Sequence, residues 1–279
     1  NRLALVAALD WREISLVRAL AKYLRQGGLT FSQAYIEQCV ANYPAITRSL
    51  VELFYARLDP AGFDDDKAEL LLAAVRGMLD GVANLDEDRI LNGFLAVILA
   101  TRRTNFWQKG ADGEFKSYIS FKLESNQIPF LPQPRPLFEI WVYSPRVEGV
   151  HLRGSKVARG GLRWSDRMED FRTEVLGLVK AQMVKNSVIV PMGSKGGFVG
   201  KQLPAPSDRE AFLAEGIACY KIFISALLDV TDNLVTGQII PPKDVRRLDP
   251  DDPYLVVAAD KGTATFSDIA NGISEAYGF

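Results

Sequence analysis

The residues that could carry chemistry in this sequence are cationic side chains set among glycines, between positions 152 and 201. This window holds ten Lys or Arg residues and four Asp or Glu residues, a net charge of +6, whereas the whole chain is at −1. It also holds eight of the 22 glycines. Glycine lets backbone N–H groups approach a ligand that Lys and Arg neutralise, so the window is typical of a site for a small anion. A solvated basic face with turn glycines is the alternative explanation.

Lys195 is the strongest candidate for acid/base chemistry. It lies between Gly193 and the pair Gly196 and Gly197, directly after an apolar stretch. A lysine held at a strand end, near backbone and other cations, can exist as the neutral amine that a general base requires. From spacing alone, a functional Lys195 and a lysine that merely ends a turn are equal alternatives.

Gln182 and Lys185 are the next candidates, because they are three positions apart near the end of a predicted helix. They would share a face and could bind one carboxylate together. Leu176, Val179 and Met183 predict that the other face of this helix is the buried one.

Nucleotide-binding motifs are missing from the sequence. A phosphate loop requires Ser or Thr after Gly-Lys, but Gly200 and Lys201 are followed by Gln202. No GxGxxG follows a predicted strand, so the chain has no dinucleotide fingerprint. A nucleic-acid interface is also disfavoured, because the basic window contains few aromatic residues on which bases could stack.

Metal and disulfide chemistry are not predicted. Cys39 and Cys219 are far apart and in no CxxC pattern. His151, the single histidine, has no partner in sequence and is interpreted as a structural or surface residue. Three aspartates flank Pro250, but acidic turns are too common to indicate a metal site.

Helices must form the first part of the chain. Asp10 and Glu13 form a capping-box pattern that opens a helix closed by Gly27 and Gly28. Apolar residues at spacings of three and four predict further helices over 32–41, 45–57, 65–79 and 86–101. We assign this region, residues 1–110, to packing and assembly.

The second part, residues 111–279, alternates strands with helices. Strands are predicted over 115–123, 137–143, 149–152, 187–191 and 254–259, and helices over 168–184 and 211–229. This order predicts an α/β domain, with a mixed sheet that is flanked by helices and includes some parallel pairing.

The composition is that of a soluble globular protein, with 48% apolar and 24% charged residues. The longest apolar runs, such as 95–100, are too short to span a bilayer, so we expect no membrane partner and a cytoplasmic location. The chain begins without Met and ends without a polar tail, and we expect it to be part of a longer protein.

Four motifs in order resemble the substrate domain of glutamate dehydrogenases, most closely that of the large bacterial NAD-dependent glutamate dehydrogenase. They are ARGGLRWSD at 158–166, AQMVKNS at 181–187, VPMGSKGG at 190–197 and VAADKGT at 257–263. Four motifs in sequence order are far more specific than any one alone. The resemblance covers roughly residues 110–279, and more loosely the helical region.

The resemblance implies a role for each matching residue. Lys195 matches the catalytic lysine and Asp260 the catalytic aspartate, which relays protons to and from the amino group. Lys185 matches the lysine that binds the substrate α-carboxylate, and Gln182 also faces the substrate. The remaining matches form the GGxR turn that shapes the pocket, Gly160, Gly161 and Arg163.

One position departs from the family pattern. Arg159 stands where the small enzymes carry a lysine for the side-chain carboxylate of glutamate. An arginine still suits a carboxylate, but its longer fork requires a differently shaped pocket.

The implied activity is reversible, NAD-dependent oxidative deamination of L-glutamate to 2-oxoglutarate and ammonia. NAD would bind mainly to a domain beyond Phe279, so we expect the isolated chain to be inactive and the full-length enzyme to be a homo-oligomer. The alternatives are an anion- or nucleotide-binding module without catalysis, and a structural or regulatory domain of the same fold. The catalytic reading predicts that Lys185, Lys195 and Asp260 converge in one cleft at the C-terminal ends of the sheet strands.

Overall fold

A computed structural model describes residues 2–185, 192–256 and 264–279 of the chain. Two compact units are present. The first comprises Asn1–Thr101 with Gln127–Gln133, and the second comprises Arg102–Asn126 with Pro134–Phe279. Each unit has its own hydrophobic core.

The first unit is helical, as its apolar periodicity predicts. Asp10 and Glu13 form the predicted capping box, and Ser32, Asp64 and Asn84 cap later helices with their side chains. The helices are α1 (Arg2–Val6), α2 (Trp11–Gln26), α3 (Gln33–Asn42), α4 (Pro44–Leu58), α5 (Asp65–Leu79) and α6 (Leu85–Ala100).

The second unit is built on a mixed sheet. Its strands follow the order β1 (Thr101–Thr104), β2 (Ile119–Leu123), β3 (Phe138–Tyr143), β4 (Val147–Arg153), β6 (Gly193–Gly200) and β5 (Arg159–Trp164). The pairs from β2 to β6 are antiparallel, and β5 runs parallel to β6. The predicted α/β class with a mixed sheet is confirmed.

Helices cover both faces of this sheet. On one face, α7 (Phe171–Lys185) packs its apolar side against β6 and β3. On the other face, α8 (Arg209–Leu228) and α9 (Ala264–Tyr277) form a core with Phe198 and Leu162 of the sheet. A short hairpin, β7 (Asn233–Val235) and β8 (Gln238–Ile240), lies outside the main sheet.

Helix α8 is long and apolar enough to meet the length and composition criteria of a membrane span. Within the described second unit its buried side instead contributes Cys219, Phe223 and Leu227 to the core. A core helix of a soluble protein meets the same criteria, so this feature is weak support for a membrane location.

The sequence-based prediction of strands was wrong at three places. Residues 193–200 and 159–164, interpreted as a glycine cluster and a GGxR turn, are strands β6 and β5. Residues 254–256, predicted to begin a strand, have no regular secondary structure. The predicted strand at 187–191 and the rest of the predicted strand at 254–259 lie outside the described residues.

Candidate active site

Lys195 lies inside strand β6, on the sheet face that α7 covers. It pairs with Leu152 of β4 and with Gly161 of β5. Its neighbours on the same face, Gly193 and Gly197, lack side chains, and a Cβ at either position would contact α7. The lysine is therefore the long side chain between two positions where the helix approaches the strand closely.

Helix α7 brings Gln182 to this strand. A Cβ built at Gly193 would lie 3.4 Å from the Cβ of Gln182 and 3.1 Å from the carbonyl oxygen of Val179. Gln182 thus lies on the side of α7 that faces the sheet, together with Val175 and Val179. The prediction that Gln182 lies on the face opposite the buried one was wrong. Its Oε1 is buried and has no hydrogen-bond partner among the described residues.

An unpaired buried amide oxygen is unfavourable, since such a group in a folded protein nearly always accepts a hydrogen bond. The position of this one, on the face that carries Lys195, suits an acceptor that awaits a ligand or an ordered water.

Strand β5 closes the site on its other side. A Cβ at Gly160 would lie 1.1 Å from the carbonyl oxygen of Ser194, so only glycine allows β5 to approach β6 this closely. Gly161 stands directly beside Lys195. Arg163 is half-exposed, and its Nε lies 3.2 Å from Oε1 of Glu174 on α7. The three GGxR residues therefore shape a strand and anchor a helix.

Three of the predicted site residues are only partly described or not described. Arg159 begins β5 and Lys185 ends α7, but their side chains lie outside the described part of the structure. Asp260 lies outside the described residues altogether. The predicted convergence of Lys185, Lys195 and Asp260 in one cleft thus stays a prediction.

Lys195 lies at the other end of the parallel strands from the one that was predicted. Lys195 is the third residue of β6, so it lies near the N-terminal ends of the parallel strands β5 and β6 rather than their C-terminal ends. The C-terminal end of β4 is also at this edge because β4 runs antiparallel to β6. The reason is that the lysine is carried by a strand and not by a loop after one.

His151 lies on the opposite sheet face from Lys195 and is buried. Its Nε2 is 3.0 Å from the carbonyl oxygen of Val256 and 3.3 Å from Oγ of Ser194. Burial, together with the nearby charge of Arg153, lowers the pKa of His151 to about 4, although the hydrogen bond to Val256 opposes the shift. The ring is neutral at physiological pH and is a structural residue, not a surface one.

Much of the basic window is neutralised by ion pairs. Arg172 and Glu139 form a fully buried pair, and Lys201 bonds Glu148 at 2.8 Å. Further pairs join Arg153 to Asp252, Arg163 to Glu174 and Arg167 to Asp170. At least five of the ten cations therefore have carboxylate partners among the described residues, and the window is not the continuous basic surface that a phosphate backbone would need.

Sequence reasoning missed a buried charge network beside His151. Lys122 bonds Asp249 at 2.5 Å and Asp252 at 2.7 Å, and Arg103 bonds Asp249 at 2.6 Å and Asp232 at 2.9 Å. A lysine inside the apolar strand ISFKL was the available signal, since a buried cation requires a carboxylate. No cluster that could hold a metal is found among the residues that the structure describes.

Comparison with known proteins agrees with these features. Residues 74–279 match the family described as "Bacterial NAD-glutamate dehydrogenase, catalytic domain", and residues 1–60 match "Glutamate dehydrogenase, helical motif 3". NAD-specific glutamate dehydrogenases of Halomonas elongata, Pseudomonas aeruginosa and Mycobacterium tuberculosis are 59%, 60% and 54% identical to the chain over its whole length.

The chain spans only 17–18% of the length of these three relatives. The first family match covers most of the chain, including every strand of the described sheet. The chain therefore belongs to the bacterial NAD-glutamate dehydrogenase family and carries the catalytic-domain region of that family.

Proposed function

We propose that this chain forms the substrate-binding catalytic part of an NAD-dependent glutamate dehydrogenase. The reaction is the reversible conversion of L-glutamate, water and NAD⁺ to 2-oxoglutarate, ammonium, NADH and a proton. The relatives are named as NAD-specific glutamate dehydrogenases, which supports this substrate and coenzyme.

One structural observation carries the proposal. Lys195 stands on a strand position flanked by Gly193, Gly197 and Gly161, and it faces the part of α7 that carries Gln182, whose buried amide oxygen has no hydrogen-bond partner in the part of the chain that the structure describes. A lysine on the strand that faces this acceptor, in a site walled by glycine backbone, suits a small polar substrate with donors and acceptors of its own.

The substrate carries two carboxylates, so it requires two separate cations. Lys185 would bind the α-carboxylate, since it ends α7 one helical turn beyond Gln182. Arg159 would bind the side-chain carboxylate from the start of β5, adjacent to the two glycines that flank the site. A pocket that holds both ends of the substrate fixes Cα relative to the catalytic groups.

Lys195 and Asp260 would perform the proton transfers. In the deamination direction, Lys195 takes a proton from the water that attacks the imine carbon, and Asp260 gives a proton to the departing amino group. General acid/base catalysis of this kind contributes roughly 10²- to 10⁴-fold to the rate.

The stretch between β5 and α7 does not fit the pyrophosphate of a dinucleotide. The stretch between β5 and α7 contains no glycine, and Asp166, Glu169 and Asp170 lie just before the N-terminus of α7. Carboxylates at that position oppose a pyrophosphate, which normally sits there on glycine-rich backbone. NAD would therefore be held mainly by another part of the protein, where it serves as the hydride acceptor of the reaction.

The proposal is tested with lysine variants in the complete polypeptide that contains this chain. Lys195→Ala should lower kcat by at least about 100-fold, because it removes the general base, while far-UV circular dichroism and the melting temperature stay unchanged. Lys185→Ala should chiefly raise the KM for glutamate, because it removes a carboxylate partner.

Lys180→Ala is the matched control, since Lys180 is an exposed lysine on the same helix as Lys185. Its kinetic constants should equal those of the wild type. Normal turnover by Lys195→Ala, or an unaltered affinity for glutamate in Lys185→Ala, would contradict the assigned roles.

A further inference from the structure

We propose that His151 is a positioning residue for the reaction, because it ties the strand position before Lys195 to the segment that leads to Asp260. The inference depends on the proposed function. It adds a residue on the opposite face of the sheet that none of the four motifs contains.

The geometry places His151 between two parts of the chain. Its Nε2 lies 3.3 Å from Oγ of Ser194, the residue directly before Lys195, and 3.0 Å from the carbonyl oxygen of Val256. Asp260 follows Val256 by four positions in sequence. One ring nitrogen therefore contacts both the residue before Lys195 and a residue four positions before Asp260.

The partners determine the tautomer of this ring. The carbonyl oxygen of Val256 can only accept a hydrogen bond, so Nε2 must carry the proton and donate it. Ser194 Oγ then shares the same donor as a second acceptor. Because His151 is buried and its pKa is lowered to about 4, the ring remains in this neutral form throughout the physiological range.

Several side chains, including His151, hold the 249–256 segment against the sheet. Arg103 and Lys122 bond Asp249, and Lys122 also bonds Asp252. Arg153, two residues from His151 on the same strand face, bonds Asp252 and donates from Nη1 to the carbonyl oxygen of Tyr254 at 2.6 Å. The Tyr254 hydroxyl donates to the carbonyl oxygen of Ala158 at 2.5 Å.

These bonds replace a strand ladder. Residues 254–256 have no regular secondary structure, and the carbonyl oxygens of Tyr254 and Val256 are satisfied by β4 side chains instead. The position of this segment is thus set by Arg153 and His151. Arg153 pairs with Ser194, the residue before Lys195, in the ladder between β4 and β6, and His151 contacts the Ser194 hydroxyl with its ring.

Loss of the Nε2 donor should therefore shift the proposed catalytic groups relative to each other without removing either. A displacement of about 1 Å in a catalytic group can reduce the rate by about 100-fold. Substrate carboxylate binding should be preserved, because the substitution removes neither of the two cations proposed to bind the carboxylates.

The test uses three variants of the complete polypeptide. His151→Leu should lower kcat by about 10- to 100-fold, with the KM for glutamate changed less than about threefold. His151→Gln places an amide N–H near the position of Nε2 and should restore most of the lost kcat. Ser194→Ala removes one acceptor and should lower kcat by a smaller factor.

Val142→Ala is the control for destabilisation. Val142 is a buried residue on the same sheet face, and it takes part in the core packed by α8 rather than in the His151 contacts. It should lower the melting temperature while kcat remains that of the wild type.

The outcomes separate the two proposals. If the wild type oxidises glutamate with NAD⁺ and Lys195→Ala does not, but folded His151→Leu keeps a wild-type kcat, the positioning role is wrong and the proposed function stands. Equal loss of kcat in His151→Gln and His151→Leu would also overturn it, since the donor would not matter. A wild-type polypeptide without this activity would overturn both proposals.

Discussion

The buried ion pair between Arg172 and Glu139 makes a quantitative prediction about how α7 is held on the sheet. Nε of Arg172 lies 2.9 Å from Oε1 of Glu139, Nη2 lies 2.7 Å from Oε2, and both side chains are fully buried. The pair joins Arg172, in the first turn of α7, to Glu139, the second residue of β3. The end of the same helix that carries Gln182 lies about three turns further on.

Arg172→Met removes the cation and leaves the Glu139 carboxylate buried. Removing one partner of a buried pair destabilises a protein by about 3–5 kcal/mol, because the remaining charge loses its compensation. For a domain of this size, that corresponds to a fall of roughly 6–20 °C in the melting temperature. The double variant Arg172→Met/Glu139→Met removes both charges and should recover at least half of the loss, since apolar replacement of a whole buried pair is often neutral.

Urea unfolding followed by tryptophan fluorescence measures this directly. Trp141 is buried and stacks on Phe171, the residue beside Arg172, with ring centroids 5.9 Å apart. Arg167→Met is the matched control, because Arg167 forms a roughly half-exposed pair with Asp170 just before the same helix. Its free energy of unfolding should change by less than about 1 kcal/mol. Equal effects of Arg172→Met and Arg167→Met, or no recovery in the double variant, would refute this reasoning.

Two further predictions concern the strands of the site. Gly160→Ala should prevent the pairing of β5 with β6, because the new Cβ would meet the Ser194 carbonyl oxygen, and a circular-dichroism melt should show that cooperative unfolding of the second unit is lost. Gly177→Ala is the control, because there is open space around this position on α7, and it should be neutral or slightly stabilising in the same melt. The lowered pKa of His151 means that the unfolded chain binds its proton more readily, so this residue's contribution to stability is present near pH 7 and is lost as the pH falls from about 6.5 towards 4, by roughly 2 kcal/mol between pH 7 and pH 5. Urea unfolding of wild type and His151→Gln at both pH values measures that difference, and an identical pH dependence in the two proteins would contradict it.

The helical parts of the chain were predictable because their signals are local. Caps and apolar periodicity predicted α2 to α6 within a few residues, and the same was true of α7 and α8. Strands β3 and β4 followed from runs of β-branched and aromatic residues.

Strands β5 and β6 could not be predicted because glycine carries no strand signal. RGGLRW and GSKGGFVG are read locally as turns, and glycine is depleted in ordinary strands. What makes them strands is their mutual approach, in which Gly160 meets the backbone of Ser194. That contact joins residues 34 positions apart in the chain, counted from 160 to 194, and no local pattern contains it.

In the candidate site, too, some residues were predictable from the sequence and others were not. Lys195, Gln182 and Lys185 were identified from motif and spacing. In the structure, Lys195 lies on the sheet face that α7 covers, and Gln182 lies on the side of α7 that faces the sheet. The contacts of His151 were not predictable, because its partners Ser194 and Val256 are 43 and 105 residues away. A single histidine without a sequence neighbour gives no indication of what it holds in the fold.

The glycines that conceal the strands also determine where the site can form. A Cβ at Gly197 would lie 2.5 Å from Cγ2 of Val175, and one at Gly193 would press against Val179 and Gln182, so side chains there would move α7 away from the sheet. Because the glycines have no side chains, the helix lies close to β6, and Gln182 faces the same side of the sheet as Lys195. Because close packing on both sides of the lysine restricts the space around it, the glycines limit where the Lys195 side chain can lie. The glycine-rich pattern of the motif is thus a requirement of helix-to-strand distance, and phosphate binding is not needed to explain it.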